Sequence, residues 1–191
     1  MTTLNSQILA VLGDPISHSL SPAIHNAMLK SLSLDYSYIA LSADKENIDK
    51  ALLGLKHLSV KGFNVTVPFK EVIIPYIDVL DEKSKLIAAV NTVVKKDNQW
   101  FGYNTDMDGF LYSIEKVSNY NLDGKKVCVI GAGGSAKAVC IGLIQKQIKS
   151  LTLMNRSNLK MFSLLELLTA QNTPVKLEAM LISDETIYDA L

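Results

Sequence analysis

The chain has 191 residues, 48% hydrophobic and 20% charged, enough for one large or two small soluble domains with a sizeable core. Nineteen basic and nineteen acidic residues give a formal net charge of +0, so no overall field draws it to nucleic acid or an anionic membrane, and a small-molecule partner is expected. The opening Met1-Thr-Thr-Leu-Asn-Ser-Gln7 lacks a basic segment followed by an apolar one, and no apolar run reaches a membrane span, which makes the cytoplasm the expected location. Cys128 and Cys140 fit neither a disulfide framework nor a metal site, so both read as buried small apolar residues.

Strand and helix signals then alternate. Ile8 to Leu12 predicts a buried strand, Ser21 to Leu32 a helix, Tyr36 to Leu41 a strand, Lys45 to Lys56 a helix and Val60 to Val67 a strand. A helix is expected to begin near Pro68, since proline suits a first turn. This alternation predicts an α/β fold with a mainly parallel sheet. Asn91 to Tyr103 departs from it, reading as two short strands around an Asp97-Asn98 turn, an antiparallel hairpin that closes a first domain. A helix from Asp106 to Val117 and the turn-rich stretch Ser118 to Gly124 follow, placing the boundary between domains 1–105 and 106–191.

The second domain opens on a strand, Lys126 to Ile130, a tight turn, Gly131-Ala132-Gly133-Gly134-Ser135-Ala136, and a helix, Lys137 to Gln147. That is the context a dinucleotide fingerprint requires. Gly131 permits the turn, Gly133 lets backbone approach a pyrophosphate, and Ala136 allows close helix packing. The phosphates would lie on the helix N-terminus, where free N–H groups and the dipole favour an anion. After the strand Ser150 to Met154, where an NAD-binding chain would place an acidic residue for the ribose, this one has Asn155-Arg156-Ser157 and then Lys160. Arg156 offers a planar donor fork, Ser157 a hydroxyl and Lys160 a second cation to a 2′-phosphate, so NADP is the expected cofactor. The competing interpretation is a pair of solvated charges at a helix start.

Six motifs in order now carry a resemblance: Gly13-Asp-Pro-Ile-Ser-His-Ser-Leu-Ser-Pro22 with His25-Asn26, Asn64-Val-Thr-Val-Pro-Phe-Lys70, Ala89-Val-Asn-Thr92, Gly102-Tyr-Asn-Thr-Asp106 with Gly109, Gly131 to Ala136, and Asn155-Arg156. The chain resembles the shikimate dehydrogenase family. The resemblance implies an N-terminal mixed α/β substrate domain followed by a Rossmann-like NADP-binding domain, and NADPH-dependent reversible reduction of 3-dehydroshikimate to shikimate. It also implies that Ser19 and Ser21 hold the substrate carboxylate, that Thr66, Asn91 and Asp106 bind ring hydroxyls, and that Lys70 and Asp106 are the catalytic pair. In one respect the chain departs from the family's usual pattern, with Ala88 standing where glycine normally precedes Ala-Val-Asn-Thr.

The residue chemistry agrees with these transfers. A small ring bearing a carboxylate and hydroxyls needs short donors and amides, which serine, threonine and asparagine supply. Asn64 and Thr66 lie two apart in the expected strand and share a side, while Val65 and Val67 would face the core. A ketone receiving hydride gathers negative charge on oxygen, which a placed ammonium such as Lys70 can stabilise and protonate, with Asp106 holding the ammonium charged. Each also has a structural alternative: an exposed helix lysine for Lys70, and helix N-caps for Ser21 and Asp106. His18 and His25 read as structural and His57 as a solvated surface residue.

Few residues follow the fingerprint: a helix near Asn158 to Gln171, a short strand near Val175 to Leu177 and a last helix from about Asp184. A full doubly wound domain has about six strands, so the nucleotide domain reads as partial and the chain as a C-terminally shortened family member. Two alternatives stay open: a noncatalytic fragment that keeps ligand binding, and a quinate/shikimate dehydrogenase of broader specificity. The carboxylate usual in the latter at the end of the second nucleotide-domain strand is absent here.

Overall fold

The computed structural model describes residues 6–58 and 60–182 and divides into two compact units, Met1–Asn104 and Thr105–Leu191. The expected last helix near Asp184 lies outside the described residues.

In the first unit, β1 (Gln7–Gly13), α1 (Ser21–Ser31), β2 (Tyr36–Ser42), α2 (Ile48–His57) and β3 (Val60–Val65) form the alternating part, with a short 3₁₀ turn at Lys45–Asn47 leading into α2. β4 (Val79–Leu80), α3 (Glu82–Ile87), β5 (Thr92–Lys96) and β6 (Gln99–Tyr103) complete a sheet of order β2-β1-β3-β5-β6-β4. β1 pairs in parallel with β2 and β3, whereas β5 runs antiparallel to β3 and β6. The hairpin turn falls at Asp97 and Asn98, both at positive φ (48° and 62°), the conformation that a two-residue turn between twisted strands needs.

The core lies where α2 covers the sheet. Ile48, Leu52 and Leu55, at helical spacing, meet Ala10, Leu12, Phe63, Val65, Val93 and Trp100. Phe63 and Trp100 pack edge to face with centroids 5.3 Å apart. At the rim, Asp78 accepts from the Trp100 N–H at 2.7 Å and pairs with Lys56 at 3.1 Å. The Trp100 N–H first, and then Lys56, hold its carboxyl below the usual carboxylate range.

Three elements differ from the sequence expectation. The strand ends at Val65, so Val67 lies outside the alternation and is 65% exposed instead of facing the core. No regular helix starts at Pro68: residues 66–73 form successive turns and only Ile74–Tyr76 is a short 3₁₀ helix. β4 and α3 were not anticipated, although Asp81 caps α3 by accepting from Ser84 N–H at 2.7 Å and Glu82 follows it, a legible start signal.

The second unit holds α4 (Asp106–Tyr112), continued by a wider turn over Ser113–Val117, then β7 (Lys126–Ile130), α5 (Gly134–Gln145), β8 (Ser150–Asn155), α6 (Asn158–Thr169) and β9 (Lys176–Leu181). Its three strands pair in parallel, in the order β7-β8-β9. Met161, Leu164 and Leu168 of α6, Cys140, Ile141 and Leu143 of α5, and Leu151 and Leu153 of β8 are all buried. α4 lies on α5 so closely that a Cβ at Gly142 would sit 3.0 Å from Met107 Cγ. Cys128 is exposed, against expectation, because it shares the open face of β7 with Lys126 and Ile130, the last 74% exposed. Cys140 is buried, and desolvation raises both thiols, Cys140 to about 12, so neither is an activated nucleophile.

Glycine substitutions test this packing. A Cβ at Gly62 of β3 would stand 2.6 Å from the Val93 carbonyl oxygen, whereas one at Gly54 of α2 meets nothing within 4 Å. Gly62→Ala is expected to destabilise the chain by about 1–3 kcal/mol and Gly54→Ala to stabilise it by roughly 0.5–1 kcal/mol, as urea unfolding would read. Equal effects would contradict the close β3–β5 approach.

Candidate active site

In the first unit the expected residues gather where β1 and β3, parallel neighbours, run out at their C-terminal ends, the edge at which open α/β sheets hold ligands. Thr66 N–H donates to Leu12 O at 2.9 Å and Asp14 N–H to Val67 O at 3.0 Å, tying the loops beyond the two strands together. The chain then folds back: Phe69 N–H reaches Thr66 O at 2.9 Å, and Val90 N–H reaches Lys70 O at 2.7 Å. Val65 N–H bonds Asn91 O at 2.8 Å. Asn64, Thr66, Lys70 and Asn91, spread over 28 sequence positions from first to last, are thereby brought to one edge, with Asn91 buried and the other three half-buried.

Ser19 and Ser21 follow the loop after β1, both half-buried. Ser21 is not the N-cap of α1. Leu20 occupies that position and makes no cap bond, while Ser19 Oγ accepts from the Ser21 N–H at 3.3 Å. His18 and His57 are exposed, and His25 stacks on Tyr38 with centroids 4.2 Å apart. The sequence assigns no role to Tyr38, and Asn26 and Thr92 enter it only as members of motifs. Yet the Tyr38 hydroxyl donates to Asn64 Oδ1 at 2.7 Å, and Asn64 Nδ2 donates to Thr92 Oγ1 at 3.1 Å. A tyrosine in a strand signals core, and nothing in its local sequence distinguishes this one.

Ala88 ends α3 in the left-handed region, at φ 54° and ψ 41°. Glycine occupies that conformation without the Cβ clash that makes it unfavourable for other residues, which accounts physically for glycine at this place in the family pattern. Ala88 precedes Ala89, whose carbonyl accepts from the buried Asn104 side chain at 2.9 Å, and Val90, which holds Lys70.

The second unit carries Asp106 and the nucleotide-type residues. Asp106 is the first residue of α4 and not its cap, which is Thr105, and its carboxylate sits in the first turn, where the helix dipole favours a negative charge. At the end of β7, Gly131 adopts φ +120°, and Gly131 N–H donates to Met154 O at 2.8 Å. Gly133 stands at the N-cap of α5 with no atom within 4 Å of where a Cβ would be. Ala132 is buried beneath, while Gly133 and Ser135 are exposed and Gly134 and Ala136 half-buried. An open, side-chain-free approach to a helix N-terminus fits a pyrophosphate. Beyond β8, Asn155 Nδ2 donates to Ser157 O at 3.0 Å, and Arg156, Ser157 and Lys160 are exposed at the start of α6. That donor set fits a ribose 2′-phosphate. Among the described residues no group of three or more His, Cys, Asp or Glu is placed to hold a metal ion, and no helix is long and apolar enough to cross a membrane.

Residues 11–93 match the family model described as the shikimate dehydrogenase substrate binding domain, and residues 113–184 match that of shikimate / quinate 5-dehydrogenase. The crystal structure of shikimate dehydrogenase from Aquifex aeolicus superposes with a TM-score of 0.85 at 38% identity, covering 100% of this chain and 68% of that one. The chain belongs to the shikimate dehydrogenase family. Shikimate dehydrogenase (NADP(+)) of Nitrosopumilus maritimus is 46% identical over 157 residues, 82% of this chain and 57% of that protein. Shikimate 5-dehydrogenase from Listeria monocytogenes, solved in complex with shikimate and NAD, gives a TM-score of 0.83 at 31% identity over 97% of this chain and 64% of that one. Against these shikimate dehydrogenases the chain therefore spans between 57% and 68% of their length.

Ala88→Gly is expected to stabilise the chain by about 0.5–1 kcal/mol, since the left-handed cost of roughly 1–2 kcal/mol exceeds the added entropy of an unfolded glycine. Thermal unfolding of the two proteins would read the difference, and an unchanged or lowered midpoint would count against a left-handed Ala88.

Proposed function

We propose that the chain carries the substrate-binding and NADP-binding regions of a cytoplasmic shikimate dehydrogenase of aromatic amino-acid biosynthesis, reversibly reducing 3-dehydroshikimate to shikimate. The carrying observation is the gathering of Asn64, Thr66, Lys70 and Asn91 at the ends of β1 and β3 by main-chain hydrogen bonds. In this reading residues 1–105 hold the ring and 106–191 the nucleotide. Ser19 and Ser21 take the carboxylate, and Asn64, Thr66, Asn91 and Asp106 take hydroxyls, matching short donors and amides to a small polyhydroxylated acid.

NADPH would supply the hydride when bound, with Gly131 to Ala136 the residues that would hold its pyrophosphate and Asn155, Arg156, Ser157 and Lys160 those that would hold its 2′-phosphate. The Lys70 ammonium faces the developing alkoxide, stabilises it and gives up one proton, so that hydride and proton together reduce the carbonyl to a hydroxyl. Lys70 is left as a neutral amine and regains its proton from solvent. Asp106 is assigned as the other member of the catalytic pair.

Lys70→Ala should lower turnover by about 10²–10⁴-fold while changing shikimate affinity far less, because a proton donor acts in the transition state. Nicotinamide absorbance with shikimate and NADP, alongside calorimetry, separates the two effects, and near-normal turnover in the variant would reduce Lys70 to a surface lysine.

NADP should bind the chain more tightly than NAD, and Arg156→Ala should narrow that gap by about 1–3 kcal/mol, the range for a hydrogen bond to a charged group. Equal affinities of the parent chain for both would remove the cofactor assignment. A second reading, shikimate binding by the first unit with little turnover, rests on the gathering of Asn64, Thr66, Lys70 and Asn91 within that unit alone. The same absorbance and calorimetry decide between them.

A further inference from the structure

Tyr38 is held on every side by groups with no other evident task. Asn26 Nδ2 donates to its carbonyl at 2.8 Å and Asn26 Oδ1 accepts its N–H at 2.9 Å, so one side chain pairs with both main-chain groups of Tyr38 as a neighbouring strand would. His25 lies flat on its ring, with 5° between the planes. Only 3% of the residue is exposed. The pair His25-Asn26 thus fixes the backbone and ring of one tyrosine, whose hydroxyl crosses β1 to reach Asn64 on β3.

The polarity of the resulting chain of hydrogen bonds is determined by chemistry. The end of the Asn64 amide away from Tyr38 faces the main-chain carbonyl of Asn91 at 3.3 Å, and a carbonyl only accepts, so that end is the NH₂ group. The end facing Tyr38 is therefore the oxygen, which needs a donor, and the phenol supplies one at 2.7 Å. Burial pushes the Tyr38 phenol up to about 12, so it keeps its proton throughout the neutral range. The Asn64 NH₂ also donates to Thr92 Oγ1 at 3.1 Å. With its oxygen accepting there, the threonine proton is directed onward to Asn91 Oδ1 at 2.9 Å.

We propose that Tyr38 is a positioning residue for the substrate site: through Asn64 and Thr92 its hydroxyl sets the amide orientation of Asn91, turning Oδ1 toward Thr92 and Nδ2 away from it. Asn91 then meets a ring hydroxyl with its donor end, and selects ligands that place an acceptor there. The relay consists of three side-chain hydrogen bonds on β2, β3 and β5, and loss of the first leaves the Asn64 oxygen without its donor.

Side-chain amide NMR of the ligand-free 191-residue chain tests the relay directly. Tyr38→Phe keeps the ring and removes the donor, and should shift the NH₂ signals of both Asn64 and Asn91, although Tyr38 makes no hydrogen bond to Asn91. Thr92→Val should shift those of Asn91, Thr92→Ser should restore them, and Tyr36→Phe, a hydroxyl deletion on the same strand, should move neither. A lowered melting midpoint in Tyr38→Phe with unmoved Asn91 signals would mean that Tyr38 only supports the fold, which overturns the proposal. The affinity arm rests on the proposed substrate: calorimetry with shikimate should show about tenfold weaker binding for Tyr38→Phe, the effect of losing one net hydrogen bond, and unchanged binding would overturn the positioning role. If the parent chain itself fails to bind shikimate, the substrate reading falls, and the Asn91 signals still decide the relay.

Discussion

The placement of the first unit's polar residues depends on two main-chain hydrogen bonds, Val65 N–H to Asn91 O and Val90 N–H to Lys70 O. The segment from Thr66 to Ile73 has no strand or helix ladder of its own, so its polar backbone must find partners elsewhere. It finds them at the end of β1 and the loop after it, within its own turns and, through Lys70 O, in the stretch between α3 and β5. The bond closes the turn after β3 against Val90, and Phe69, Ile73 and Val90 of these segments are fully buried, although Val67 is 65% exposed. Polar side chains on these segments are left at the sheet edge because their apolar neighbours take the interior. Burial of three large side chains thus does the positioning, and the turn is as rigid as the core it covers.

The second unit solves a different problem. Its nucleotide-type residues combine backbone and exposed charge: a glycine at φ +120°, an N-cap without a side chain, and the exposed cations Arg156, just before α6, and Lys160, in its first turn. Phosphate needs dipoles and space more than shape, so buried side chains would be an obstacle there. Ala132, Ala138 and Leu151 nearby are buried.

Alternation and periodicity made much of this legible. β7 appeared with its bounds, the hairpin with its two turn residues, and the helix expected over Lys45 to Lys56 as a 3₁₀ turn running into α2, since each rests on local pattern and local turn chemistry. The turns after Pro68 were misread because proline at a first helical position and proline in a tight turn look alike over a few residues. Cys128 was misassigned because a strand's two faces carry similar residue types here, and the sequence does not say which face a helix covers. The second unit's glycine turn was legible because Gly131 stands at φ +120°, a conformation that favours glycine. Tyr38 was invisible for the opposite reason: its role exists only through Asn26, Asn64 and Thr92, partners on three other elements.

That contrast bears on how the two regions would respond to substitution. Where a site is made of backbone and exposed charge, changes to one side chain act singly, and Arg156 and Lys160 can be altered without disturbing what lies under them. Where a site is a chain of partly buried amides and hydroxyls, each member fixes the orientation of the next, so single changes propagate and their effects do not add. Asn91 is the point at which both kinds of constraint meet: its carbonyl belongs to the main-chain clasp on Val65, and its side chain ends the relay from Tyr38. A change that moves the clasp therefore also moves the amide. The first unit is accordingly expected to hold its ligand specificity more rigidly than the second holds its choice of nucleotide.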